Sequence, residues 1–196
     1  MTRDELKSAI HDQPAHSVVS VAFLDLDGLQ RLNHGVGHQH IDAMLGEVVT
    51  RVARVAGQRA HIARWGGDEF VCVIENPRDA PNLMRVMADR LRDAVRDDPF
   101  KLVEAVELTE AWSACVLNEL CPTRTRGRYA IRARHTLDGP GPTDKWLPAV
   151  VTEVWLTVSI GVATAARLED ALDLAEQASV DAKLQGRDRA HVAPTP

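Results

Sequence analysis

Residues 61–75 read HIARWGGDEFVCVIE. Two runs rich in apolar and β-branched residues, 62–65 and 69–74, flank the pair Gly66-Gly67. Because glycine adopts the positive φ angles of a tight two-residue turn without steric cost, this pattern predicts a β-hairpin. The residues that follow the glycines are both acidic, Asp68 and Glu69. The hairpin is therefore expected to carry two carboxylates where its second strand begins.

A predicted strand upstream of the hairpin also ends in acidic residues. Residues 17–26 read SVVSVAFLDL, a nearly continuous apolar run of the kind found in strands that are buried on both faces. Asp25 and Asp27 lie at its end. Residues 39–56 carry apolar side chains at helical spacing, which predicts a helix after this strand.

The rest of the chain predicts two more helices and one more buried strand. One helix is expected to begin at a cap, Asp79, and the last to run over 168–185 and end at a left-handed Gly186. Between them, residues 154–163 (VWLTVSIGVA) predict a strand. The order β-α-β-β-α-β-α is a split βαβ arrangement, in which the first and third strands pair antiparallel in the sheet centre. The sequence thus predicts an α+β fold with a central antiparallel sheet flanked by helices.

Residues 99–151 do not follow this pattern and are predicted to be an inserted subdomain within a single domain spanning 1–196. The segment is rich in proline and glycine and contains two candidate short strands, 102–108 and 129–134. Five arginines fall within 11 residues that contain no acid: Arg124, Arg126, Arg128, Arg132 and Arg134. They suit either an anion or acidic-partner site or a solvated charged hairpin, and the sequence leaves both open.

Composition excludes several classes of protein. With 45% hydrophobic residues among 196, the chain can bury a core, and its net charge of -5 argues against general nucleic-acid binding. Its longest uncharged apolar stretch, 154–166, is too short for a membrane span, which needs about 20 residues. Three cysteines without CxxC spacing and an N-terminus without an apolar signal core suggest a soluble, cytoplasmic protein.

The predicted topology brings four carboxylates together, those of Asp25, Asp27, Asp68 and Glu69. Carboxylates this close repel one another unless divalent cations lie among them. Carboxylate and carbonyl oxygens suit Mg²⁺ or Mn²⁺, and a pair of such ions can support phosphoryl or nucleotidyl transfer. The alternative is that these acids are only solvated residues at strand ends.

These residues match the motifs of a known family. Residues 66–70 read GGDEF, and the chain resembles the GGDEF domains, the diguanylate cyclases, over about 17–98 and 154–192. Beyond the pentapeptide, the matching positions are Asp25 and Asp27, Asn33, Gly37-His38, Asp42, Arg64, the SIGVA run 159–163, Lys183 and Gly186-Arg187.

The resemblance implies a palm-like sheet related to nucleotidyl cyclases, and a reaction between two GTP molecules held by the two protomers of a homodimer. Each 3′-hydroxyl would attack the other α-phosphate, releasing pyrophosphate and forming cyclic di-GMP. By the matched positions, Mg²⁺ or Mn²⁺ would be held by Asp25, the Leu26 carbonyl, Asp68 and Glu69, the last two being catalytic. GTP would be bound by Asn33 and Asp42 at the guanine, and by Lys183, Arg187 and the amides of Gly28 and Leu29 at the phosphates.

Two departures from the family pattern keep other functions open. Gln30 replaces a lysine that would lie near the phosphates, and Ile41 replaces a glycine beside the guanine pocket. The alternatives are a non-catalytic module that binds GTP or a cyclic dinucleotide, and a related synthase with a different nucleotide product. The insertion at 99–151 is expected to serve as a dimerisation or protein-partner surface that controls activity.

Overall fold

A computed structural model describes residues 1–10, 18–58, 60–75, 80–107, 131–134 and 150–194. Its strands are β1 (Val19–Leu26), β2 (Ala60–Arg64), β3 (Glu69–Glu75), β4 (Phe100–Glu107), β5 (Ile131–Arg134), β6 (Val150–Val154), β7 (Val158–Ala165) and β8 (Arg189–Val192). Its helices are α1 (Arg3–Ile10), α2 (Leu29–Val36), α3 (His38–Ala56), α4 (Ala80–Arg96) and α5 (Leu168–Leu184).

Strand β1 lies at the centre of a five-stranded sheet with the order β2-β3-β1-β7-β8. It pairs antiparallel with β3 and with β7, and every one of its residues is buried. The hairpin predicted at Gly66-Gly67 is present as β2 and β3, and the predicted central pairing of the first and third strands is confirmed. The predicted α+β fold, with helices flanking a central sheet, is therefore the observed one.

Alternating side chains of β1 bury two separate helical layers. Ala22, Leu24 and Leu26 pack in a core that includes residues of α2, α3 and α4. Val21 and Phe23 point to the other face, where they pack with α1 and α5. This alternation is the two-residue period of a strand, and burial on both faces explains the continuous apolar run. No helix in the described part of the chain is long and apolar enough to cross a bilayer.

The single strand predicted over 154–163 is wrong, because the chain changes sheets within it. Val150–Val154 (β6) lies in a second sheet with the order β4-β6-β5, and Val158–Ala165 (β7) lies in the central sheet. Leu156, in the connection, is fully buried, so the apolar run continues without a break. Hydrophobicity alone therefore could not show where one strand ends and the other begins.

The inserted segment contributes β4, β5 and the start of β6 to the second sheet. The predicted strands 102–108 and 129–134 correspond to β4 and β5, which both pair with β6. Most of the insertion lies outside the described residues, including the arginines at 124, 126 and 128. The cap predicted for α4 at Asp79, before the insertion, also lies outside them. Helices α1 and α2 were not among the predicted elements.

Gly161 on β7 permits a close contact between the sheet and α5. A Cβ atom at this position would lie 1.8 Å from the Ala175 carbonyl oxygen and 2.3 Å from the Ser179 nitrogen, both on the backbone of α5. Because neither atom can move without displacing the helix, only glycine fits here.

We therefore expect Gly161→Ala to lower the free energy of unfolding by about 3 kcal/mol, since α5 must lift from the sheet. Gly46→Ala on α3 is the matched control, because a Cβ there meets nothing within 4 Å. That variant should gain up to about 1 kcal/mol from helix propensity. Urea titration of both variants measures the difference, and equal stability of Gly161→Ala and the wild type would refute the close contact.

Candidate functional site

The ends of β1 and β3 bring three of the predicted acidic residues together. Asp25 lies directly opposite Glu69 in the antiparallel register, and the Leu26 amide donates a hydrogen bond to the Asp68 carbonyl at 3.1 Å. The carboxylates of Asp25, Asp68 and Glu69 are therefore neighbours although more than forty residues separate β1 from β3. The strand topology predicted this placement.

Asp25 is a buried carboxylate with a partner at only one of its two oxygens among the described residues. Its Oδ2 is paired with the Lys183 ammonium group from the end of α5. Its Oδ1 is buried and has no hydrogen-bond partner among the described residues. Burial raises the pKa of Asp25 to about 6, against the lowering effect of Lys183, and the charges of Asp68 and Glu69 add to the rise. An orphaned carboxylate oxygen in such surroundings is suited to a cation.

Burial and neighbouring negative charges disfavour the ionised form of Glu69 as well. Burial raises the pKa of Glu69, and the charges of Asp68 and Glu176 raise it further, while Lys183 and Arg3 oppose the change. Within the described residues, no three His, Cys, Asp or Glu side chains already stand in a metal-binding arrangement. The donor set of carboxylates is nevertheless the one that Mg²⁺ or Mn²⁺ prefers, and the excess of negative charge favours such an ion.

Asp27 does not join this group, contrary to the sequence-based expectation. It is 1% exposed, and the hydroxyls of Thr157 and Ser159 each donate a hydrogen bond to its carboxylate at 2.7 Å. The backbone N–H of Asp188 donates a third at 3.3 Å. The hydroxyls on and beside β7 therefore satisfy Asp27, which ties β1 to β7 and to the C-terminal turn. Sequence reasoning missed Thr157 and Asp188, because nothing in the local pattern of β1 indicates which strand lies beside it.

The turn after α5 holds Arg187, the second predicted phosphate-binding side chain, near the end of β1. Gly186 has φ 115°, as predicted for a left-handed cap, and the next two residues, Arg187 and Asp188, also have positive φ at 62° and 49°. Such angles in non-glycine residues concentrate at functional sites. Arg187 Nε lies 3.9 Å from Oδ1 of Asp27. Lys183 and Arg187 thus face Asp25, in β1, and Asp27, directly after it.

A cavity of about 360 Å³ opens beside the carboxylates, between α2, the start of α3 and the hairpin turn. It contains both residues predicted to bind a base, and it shares Asp68 with the carboxylate group. Its walls are formed by Leu29, Gln30, Asn33, His38, Ile41, Asp42, Leu45, Arg64, Gly67 and Asp68.

Asn33 and Asp42 offer hydrogen-bond acceptors in this cavity. The Asn33 amide nitrogen lies 3.0 Å from His38 Nδ1, which orients the side chain. The Asn33 Oδ1 atom is buried and has no partner among the described residues, whereas Asp42 is exposed. A ligand with neighbouring N–H donors would satisfy both acceptors. His38, which the sequence analysis matched only as part of a motif, is therefore a supporting residue of the pocket.

Two further residues shape the ends of the cavity. The guanidinium of Arg64 donates hydrogen bonds to the carbonyls of Gly66 at 3.1 Å and Gly67 at 2.8 Å, which fixes the turn that carries Asp68. Gly28, directly before α2, has φ 72°, and the buried Leu29 that follows it lies on the cavity wall. The matched position of Arg64 gave no indication of its role in closing the turn.

Comparison with known proteins gives both sequence relatives and structural neighbours. A bifunctional diguanylate cyclase/cyclic di-GMP phosphodiesterase, MucR of Pseudomonas aeruginosa, is 38% identical over 88 residues, which are 44% of this chain and 12% of MucR. The GGDEF domain of PA1120 (YfiN or TpbB) from Pseudomonas aeruginosa superposes with TM-score 0.67 at 20% identity, over 100% of this chain and 98% of that one. The GGDEF domain of DgcB from Caulobacter crescentus, solved in complex with c-di-GMP, gives TM-score 0.61 at 20% identity. The match covers 96% of this chain and 86% of that one.

The structural neighbours share the fold, and the family assignment comes from the sequence. The family model for "Diguanylate cyclase, GGDEF domain" matches residues 1–110, more than half of the 196 residues. This range includes β1, the hairpin and all ten residues named above on the cavity wall. The chain belongs to the GGDEF domain family.

Proposed function

We propose that this domain is a diguanylate cyclase, which condenses two GTP molecules into cyclic di-GMP and pyrophosphate. The observation that carries the proposal is the sharing of Asp68 between the carboxylate group and the cavity that contains Asn33 and Asp42. One nucleotide could therefore reach both a base-binding pocket and a metal-binding group. The sequence relative MucR is named as a diguanylate cyclase, and DgcB was solved with c-di-GMP, in agreement with this chemistry.

The acceptors in the cavity favour guanine over adenine. The guanine edge presents N1–H and an N2 amino group, and adenine lacks this pair of donors. Asn33 Oδ1, which is buried without a partner, and the carboxylate of Asp42 supply the matching acceptors. The cavity volume of about 360 Å³ lies in the range of small-ligand pockets. We propose GTP as the substrate on this basis.

The carboxylate group is proposed to hold Mg²⁺ or Mn²⁺. Asp25, the Leu26 carbonyl, Asp68 and Glu69 would be the ligands, and the orphaned Oδ1 of Asp25 is consistent with this role. When bound, such an ion neutralises the carboxylates, orients the phosphates and stabilises the charge that develops on the leaving group. Lys183 neutralises Asp25 in the ligand-free chain, so it would be released toward the phosphates when the ion takes its place.

Two protein groups are proposed to act on the reacting atoms. Glu69, whose pKa is raised by burial and by the charge of Asp68, would accept the proton of the attacking 3′-hydroxyl. Arg187, fixed in its turn, would bind phosphate oxygens. One site holds one GTP, and the reaction joins two, so catalysis requires two protomers that face each other.

A non-catalytic GTP- or cyclic-dinucleotide-binding module is the second candidate. Gln30, where the family pattern has a lysine, lines the cavity with an exposed side chain. A neutral amide offers the phosphates less electrostatic stabilisation than an ammonium group does. Product formation distinguishes the two functions.

We expect Asp68→Asn to reduce the rate of product formation from GTP at least about a hundredfold, because it removes a metal-ligand charge from the centre of the site. Mass spectrometry after incubation with GTP and Mg²⁺ or Mn²⁺ identifies the product and its rate. The matched control is Asp173→Asn, which should keep the wild-type rate. Asp173 is exposed on α5, more than two turns before Lys183. A wild type that yields no cyclic di-GMP, or an unchanged rate in Asp68→Asn, would refute the proposed enzyme.

Metal binding in the absence of nucleotide should depend on pH through Asp25. The pKa of Asp25 is raised to about 6, and a protonated carboxyl group does not bind a divalent ion. Mn²⁺ affinity should therefore rise about tenfold from about pH 5 to about pH 7. Electron paramagnetic resonance of free Mn²⁺ measures the affinity, and Asp25→Asn should bind weakly at both pH values. Wild-type affinity that does not change with pH would contradict the assignment of Asp25 as a ligand.

A further inference from the structure

The first turn of α3 is held from two sides. Gly37 precedes the helix, and among the described residues no side chain caps its first N–H groups. On the cavity side, His38 contacts Asn33 at 3.0 Å. On the opposite side, Gln39 and His40 contact β4 of the second sheet. The turn that carries Asp42 is therefore positioned by contacts from outside its own helix.

Of the two contacts with β4, the one made by His40 is the more buried. The side chain is 2% exposed, and its Nδ1 accepts a hydrogen bond from the backbone N–H of Val103 at 3.2 Å. This geometry requires a tautomer in which Nδ1 carries no proton. Beside it, the amide of Gln39 donates to Oε1 of Glu104 at 2.9 Å, at an exposed position.

An irregularity in β4 makes the Val103 N–H available. The paired residues of β4 and β6 are Phe100 and Lys101 at one end and Val106 and Glu107 at the other, with a register shift between them. Val103, which is 66% exposed, lies between these paired ends, and its N–H donates to His40 rather than to a residue of β6. Because no strand partner in the described register competes for this N–H, the Nδ1 atom of the buried His40 is the acceptor that joins β4 to the first turn of α3.

The start of β4 is itself firmly held. Arg51, a buried residue of α3, donates to the carbonyls of Asp98 at 2.6 Å and Pro99 at 2.9 Å. Its guanidinium also lies 3.8 Å from the centre of the Phe100 ring. Leu102 is buried in the same core as Ile41. The stretch around Val103 is thus a fixed support for the first turn of α3.

We propose that His40 is a positioning residue for base selection, acting through its hydrogen bond to Val103. The bond fixes the first turn of α3 and, with it, the Ile41 and Asp42 side chains on the cavity wall. This inference rests on the proposed function, since the base to be selected is guanine. It also gives β4 a defined role, which is to support the base pocket.

The test compares His40→Leu, which removes the acceptor, with His40→Asn, whose Oδ1 replaces Nδ1. Calorimetry with 3′-deoxy-GTP and 3′-deoxy-ATP, which cannot cyclise, gives the affinity for each base. His40→Leu should raise the Kd for the guanine nucleotide about threefold to tenfold and change the adenine value less than about twofold. His40→Asn should restore most of the preference. His61→Leu, on β2 and outside the cavity wall, is the matched control and should keep the wild-type ratio.

Amide hydrogen exchange in the ligand-free proteins provides a second measurement that needs no nucleotide. Exchange of the Val103 amide and of residues 41–44, whose N–H groups have helical acceptors, should accelerate in His40→Leu and return toward the wild-type rate in His40→Asn. Unchanged exchange there, or a selectivity ratio that does not move in His40→Leu, would overturn the inference. A wild type without guanine preference would refute the proposed function instead, and the exchange rates would then decide the role of His40 alone.

Discussion

Asp25, near the end of β1, lies opposite Glu69 on β3 and opposite Ser159 on β7. These two antiparallel pairings fix the register of the central sheet, and a slip of one residue would turn every side chain of β1 to the other face. The register places Asp25 beside the hairpin acids and lets the hydroxyl of Ser159 reach Asp27. The candidate site therefore depends on the same strand pairings that hold the core together.

This register concentrates negative charge at one edge of the sheet, and the rest of the site follows from how the charge is balanced. Asp27 is satisfied by two hydroxyls and a backbone N–H, so it acts as a structural anchor. Asp25 has only Lys183, and one of its oxygens has no partner among the described residues. Asp27, whose hydrogen bonds are satisfied, thus has a structural role, and Asp25, two residues earlier, has the proposed ligand role. The strained turn at Arg187 and Asp188 is consistent with a site that is organised for binding.

Local signals predicted the parts of the fold that local chemistry determines. The Gly66-Gly67 turn predicted the hairpin, and the apolar run before Asp25 predicted the central strand. The change of sheets between β6 and β7 could not be predicted, because the buried Leu156 continues the apolar pattern across it. The partners of Asp27 and the support of His40 by Val103 are contacts between distant parts of the chain, which depend on registers that no single segment encodes.

The central claim is that the base pocket and the carboxylate group form one site that shares Asp68. The most direct test is the coupling between metal and nucleotide, measured as the Kd of 3′-deoxy-GTP with and without Mg²⁺, and compared with guanosine. If one site holds both, Mg²⁺ should tighten 3′-deoxy-GTP binding about tenfold or more and leave guanosine binding unchanged. Asp68→Asn should abolish that coupling. Equal affinity for 3′-deoxy-GTP with and without Mg²⁺ in the wild type would contradict a shared site.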